Sequence, residues 1–149
     1  MKENNLKLIG TARCWYTDEN GNKIHYTEKK NAIVLSGFDF VRQCIASSDR
    51  PAIMKYVALG SGSAATTESM TALTNEGNRI EGTWSFSDDN KTFTITAVFA
   101  RGTLTGNVRE VGVFNASSGG IMLDRAVYPS DIPALSNLEF TQTLTFQLA

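Results

Sequence analysis

The chain has 149 residues, enough for one domain around one core, and its 42% hydrophobic and 19% charged content is that of an ordinary globular protein. A formal net charge of -1 gives no bulk attraction to nucleic acid or to an acidic membrane. No apolar run approaches the roughly 20 residues that insert across a bilayer, and the opening M-K-E-N-N-L-K-L-I-G lacks the apolar stretch of an export signal, so synthesis in a cytoplasm without export is expected.

Leu6 to Tyr16 and Lys23 to Lys30 flank T-D-E-N-G-N, where Asn20-Gly21 tolerates positive φ and marks a two-residue hairpin turn. Alternation here is poor: Arg13, Trp15, His25 and Tyr26 mix polar and aromatic character, and the second run ends in charge. Residues 1–30 are therefore expected to project from the domain as an oligomerisation or attachment arm, with 31–149 forming the core. Trp15 and Tyr16 become candidate interface or glycan contacts, and Lys29-Lys30 reads as a solvated strand end.

From Ser36 the period changes to that of a helix, expected over about 36–48 with Ser36 as its cap. Phe38, Val41 and Ile45 share a stripe predicted to face a sheet, with Phe40 and Cys44 beside it, and Pro51 follows the end. Cys14 and Cys44 lie in no metal-ligand spacing and His25 is the sole histidine, so no metal is expected; whether the thiols pair stays open. Met54 to Leu59 reads as a buried strand, turned by Gly60-Ser61-Gly62-Ser63. No Lys-Ser/Thr pair follows in phosphate-loop spacing, so the glycines are expected to supply backbone angles other residues avoid. A-A-T-T-E-S-M-T-A-L is then a polar connector.

Arg79 to Phe86 and Lys91 to Phe99 flank S-D-D-N as a second hairpin, with Phe93, Ile95, Ala97 and Phe99 on the core face and Thr92, Thr94 and Thr96 on the wet one. Asp88-Asp89-Asn90 lacks the spaced ligands of a calcium loop and reads as turn chemistry. Val108 to Phe114 and Ile121 to Val127 flank N-A-S-S-G-G as a third hairpin. If Phe114 lies opposite Ile121, Glu110 falls opposite Arg125, and two buried charges on one face must satisfy each other. In that register Glu110 and Asp124 fall on opposite faces, which rules them out as a glycosidase pair. P-S-D-I-P-A-L-S reads as an extended loop, and the closing strand buries Leu138, Phe140, Leu144, Phe146 and Leu148, with Gln142 the exception on that face. The expected fold is mostly β: an antiparallel β-sandwich with one short α-helix and a projecting N-terminal hairpin, in a single domain over 1–149.

Three segments, V-A-L-G-S-G-S-A-A-T-T-E-S-M-T-A-L, E-V-G-V-F with L-D-R-A-V, and the closing T-L-T-F, in that order over Asn31 to Ala149, resemble a family of small phage tail and virion accessory proteins. The resemblance implies a virion component, made in the host bacterial cytoplasm, that assembles with itself and with other phage proteins at the tail, collar, baseplate or fibre attachment region. It carries over Glu110, Gly112, Phe114 and Arg125 as the hairpin motif, and Gly60 and Gly62 as the loop motif, all as fold determinants. Residues Leu6 to Lys30 have no counterpart in the resemblance. No nucleophile elbow, histidine-based pair or ligand cluster stands in the sequence, so neither catalysis nor a cofactor is expected. The alternative is a host-surface carbohydrate-binding module, with Trp15, Trp84 and Tyr128 stacking on sugars and Asp88, Asp89 or Asn90 supplying polar contacts.

Overall fold

The computed structural model describes residues 5–149, so Met1 to Asn4 of the run read for export lie outside it. Among the described residues, period-two alternation yields nine strands and the 3.6-residue period one helix, a mostly β fold. In chain order these are β1 (Leu8–Thr17), β2 (Lys23–Ile33), α1 (Leu35–Ala46), β3 (Tyr56–Gly60), β4 (Glu76–Glu81), β5 (Thr83–Phe86), β6 (Thr92–Phe99), β7 (Val108–Phe114), β8 (Met122–Ile132) and β9 (Glu139–Leu148).

Antiparallel pairing joins all nine strands into one sheet, in the order β4-β3-β7-β8-β2-β1-β9-β6-β5. Its two ends, β4 and β5, are consecutive in sequence and separated only by Gly82, so the sheet nearly closes on itself as a barrel. The single strand expected over Arg79 to Phe86 is thus two strands at opposite ends of the sheet. Gly82 stands at the break, where an added Cβ would lie 2.6 Å from the Ile95 side chain and where its N–H leaves the strand ladder to donate to the Lys55 carbonyl at 2.8 Å. At the other bend β2 changes partners, with Lys23 to Asn31 alongside β1 and only Ala32 and Ile33 paired to β8.

The N-terminal hairpin does not project. β1 pairs with β9 from Leu8 to Thr17, and Ala12, Cys14 and Tyr16 are fully buried in the core. Its mixed composition is a clean alternation read on the wrong scale: the even positions face inward, while Arg13 pairs with Glu28 and Trp15 stacks on Tyr26 outside. Nor is the turn a two-residue one. The Asp18 carboxylate accepts the N–H groups of Asn20 and Asn22 at 2.9 and 2.8 Å, and positive φ falls at Gly21 and, at a bulge, His25.

The helix also turns a different face to the sheet. Gly37 is its most buried residue, Phe40 and Cys44 follow it inward, and Phe38 and Ile45 are exposed. A Cβ on Gly37 would overlap the Leu123 carbonyl, so the closest approach to β8 is fixed at the one residue without a side chain, and this sets the rotation. Ser36 does not cap the helix; its hydroxyl donates to the Met122 carbonyl at 2.7 Å. Cys14 and Cys44 are both free thiols, and burial pushes that of Cys14 up to about 12. β8 runs on through Pro129 to Ile132, where an extended loop was expected. There Arg109 spans an irregularity in the β7–β8 ladder, donating to the Tyr128 carbonyl at 2.7 Å and to Asp131 at 3.1 Å.

The main core joins inner faces from around the sheet: Val57, Val111, Val113 and Ala126 from one side, and Ile95, Phe99, Phe140, Leu144 and Phe146 from the other. Gln142 is buried among them with its amide donating to the Arg13 carbonyl and its oxygen accepting from Tyr128 at 2.9 Å, which explains the polar exception in β9. Phe146 stacks with Phe93 and meets Trp84 inside this core. Phe146→Ala should cost about 3–5 kcal/mol in urea unfolding, whereas Val98→Ala, on the outer face of β6, should stay within about 0.5 kcal/mol.

Candidate functional site

β7 and β8 bring Glu110 and Arg125 together, in a register two residues away from the expected one. Glu110 lies opposite Val127 and Arg125 opposite Gly112. A shift of two preserves the face, so Arg125 reaches diagonally and its Nε donates to Glu110 Oε1 at 3.0 Å, with both side chains fully buried. The slip arises at the closing loop: Phe114 pairs with Met122 rather than Ile121, and an irregularity at that point displaces the ladder.

The partners of the pair come from the segment between β3 and β4, residues 61–75. Glu110 Oε1 accepts the Thr74 N–H at 2.8 Å, and Oε2 accepts the N–H groups of Gly62 at 2.6 Å and Asn75 at 2.9 Å and the Thr74 hydroxyl at 3.1 Å. Arg125 Nη1 donates to the Ala64 carbonyl and the Thr66 hydroxyl, each at 2.8 Å, while Nη2 finds no acceptor among the described residues. The polar connector is thus held at its beginning and its end by two charged side chains beneath it. Burial alone would raise the Glu110 carboxyl, but the N–H groups of Thr74 and Asn75 and the Arg125 guanidinium outweigh it and hold the group below its usual range.

The three glycines of the motifs serve this packing. Neither Gly60 nor Gly62 has positive φ, contrary to the expected role. A Cβ on Gly62 would overlap Thr74 and Glu110, and one on Gly60 would come within 2.5 Å of the Asn75 carbonyl. At Gly112 a Cβ would lie 2.8 Å from the Asp124 carbonyl and 3.2 Å from Leu73, a residue of the connector packed with Phe114 in a second small core. Phe114 carries the Arg79 guanidinium 3.8 Å above its ring.

Asp124 takes the other face of β8 and points inward. Its carboxylate accepts the Val113 N–H at 3.0 Å and the Asn31 amide, with no cation beside it, and burial raises it from an ordinary 3.8 to about 7. The remaining candidates divide. Tyr16 and Tyr128 are fully buried, their hydroxyls bonded to the Pro133 carbonyl and to Gln142, so neither ring is presented at the surface of the chain. A buried aromatic with a satisfied hydroxyl is a core residue, and each sits at an inward position of its strand. Trp84 is half-buried with Nε1 donating to the Met54 carbonyl at 2.7 Å. Trp15 stays on the outer surface, stacked on Tyr26 with Lys23 Nζ 3.9 Å above its ring. The Asp89 carboxylate caps the β5–β6 turn by accepting the N–H groups of Lys91 and Thr92. Comparison with family models, with curated proteins and with solved structures finds no match.

Glu110→Ala and Arg125→Ala should each lower stability by about 3–5 kcal/mol, since each leaves a buried charge unpaired, and the double mutant should fall well short of their sum; chemical denaturation of all four species measures this, and near-zero coupling would contradict it. Asp124 gives a pH dependence of the opposite sign to that of Glu110. A carboxyl raised on folding stabilises fully below its unfolded value and loses that contribution as pH rises through about 7. Urea midpoints should therefore fall between pH 5 and pH 7.5 in the native chain and fall less in Asp124→Asn; equal slopes would refute the assignment.

Proposed function

We propose that this chain is a structural component of a bacteriophage virion, assembling as a symmetric homo-oligomer at the tail, collar, baseplate or fibre attachment region. The observation supporting it is convergence. Gly62, Glu110 and Arg125, from the three separate motif stretches V-A-L-G-S-G-S, E-V-G-V-F and L-D-R-A-V, meet in one buried network, and that network holds a loop in place. Five donors occupy the Glu110 carboxylate, which has about four lone-pair positions. No acceptor capacity is left for a substrate proton, so these residues act as a fastening. The finer description of the fold goes with this reading: β4-β3-β7-β8 and β1-β9-β6-β5 as two layers of a sandwich joined through β2.

A carbohydrate-binding role for the same domain draws on Trp15, whose ring lies on the outer face with Tyr26 and Lys23 beside it. Immunogold labelling of purified phage particles with antibody to this chain should decorate a discrete position on the tail at a symmetric copy number. A glycan array should show no ligand; sugar binding abolished by Trp15→Ala would favour the second role, and particles free of the chain would overturn both.

A further inference from the structure

The helix has two apolar faces, and the fold uses one. Phe40 and Cys44 turn toward the sheet with Gly37, while Phe38 and Ile45 continue the apolar arc outward through Val41. Beside them α1, the segment before β3 and β5 enclose an open groove of about 340 Å³ whose walls include Phe40, Val41, Cys44, Ile53, Trp84 and Phe86. Phe38 is 51% exposed, Ile45 73%, Ile53 68% and Phe86 80%. Taking about 200 Å² for a full aromatic side chain and somewhat less for an aliphatic one, these four with Leu35 present roughly 600 Å² of apolar surface. Ile53 and Phe86 share the groove with Val41, and Phe38 and Ile45 lie one turn from Val41 on α1, so this summed exposure can be set against about 300–600 Å² for the largest patch on a monomer and the ~800 Å² each partner contributes to a standard interface.

We propose that this surface is the contact between copies of the chain, with α1 packing antiparallel on α1 of a second copy about a two-fold axis near Val41. The proposal rests on the oligomeric reading above and names the surface that achieves it. Phe38, Val41 and Ile45 follow the three-and-four spacing that lets one helix lie along another. About such an axis Phe38 of each copy meets Ile45 of the other, and the same patch serves both, as an isologous contact requires. The cation on this side of the helix arrives already compensated: Arg42, though highly exposed, donates to Asp39 one turn back. Pairing the two helices therefore brings no unpaired like charges together.

The test is the mass of the full chain by light scattering over a wide concentration range. The wild type should be a multiple of 16.2 kDa, and Ile45→Glu and Phe38→Glu should each weaken association at least about tenfold, equivalent to 1.4 kcal/mol. Val98→Lys, on the outer face of β6, should leave it unchanged. Circular dichroism melts establish that the variants fold, as expected for exposed positions. An oligomer indifferent to both helix variants would overturn this surface and leave the oligomeric reading standing. A monomeric wild type at every concentration would overturn both. Dissociation by Val98→Lys as well would place the contact elsewhere.

Discussion

Everything around residues 61–75 depends on one charge pair that water cannot reach. Removing a carboxylate and a guanidinium from solvent costs several kcal/mol each, and the attraction between them offsets that only when the remaining donors and acceptors are also filled. Here the backbone of the connector supplies most of the missing partners: three N–H groups and a hydroxyl to Glu110, a carbonyl and a hydroxyl to Arg125. The loop and the ion pair are one structure. A segment with no helix or strand of its own is ordered because two charges need it, and the charges are tolerable because it is there. Gly60, Gly62 and Gly112 follow from the same requirement, since any side chain at these positions would hold the loop off the sheet.

Asp124 shows what the pair does by lacking one. Its neighbour in sequence is Arg125, yet strand geometry sends the two to opposite faces, and Asp124 meets only the Val113 N–H and the Asn31 amide. Two carboxylates on adjacent strands, both buried, are driven in opposite directions by their surroundings: Glu110 down, Asp124 up to about 7. Neither carboxylate is open to solvent, but Asp124 lies deeper in the protein, while Glu110 has more donors and a cation beside it.

Faces were legible in the sequence, and registers were not. Alternation alone finds the inward set of β6 and that of β9 from Phe140 to Phe146, though Leu148, expected to be buried with them, is exposed at the strand's end, and the Glu110–Arg125 contact is readable because an error of two residues leaves the face unchanged. The error itself came from the N-A-S-S-G-G loop, whose irregular closure at Phe114 and Met122 has no sequence mark. The helix misled for another reason. Phe38, Val41 and Ile45 form as good a stripe as Gly37, Phe40 and Cys44, and the choice turns on a glycine fitting against the Leu123 carbonyl, a tertiary fact. The anchoring of the connector was hidden because its backbone, rather than its side chains, supplies most of the contacts to Glu110. The Gly-x-Gly at 60–62 was the available clue, and conformational freedom was the wrong inference from it.

A sequence that writes two apolar stripes on one twelve-residue helix specifies more contact than a single sheet can provide, and the second stripe persists at the surface beside Ile53 and Phe86. Exposed apolar surface of this extent promotes association, and a net charge of -1 supplies almost no repulsion against it. Inside, nearly every buried polar group among the described residues is consumed by another part of the same chain; outside, Phe38, Ile45, Ile53 and Phe86 are left uncovered on and beside α1. On the proposed oligomeric reading, the buried polar groups hold the chain's own loop and this apolar surface is the part left to meet a second copy.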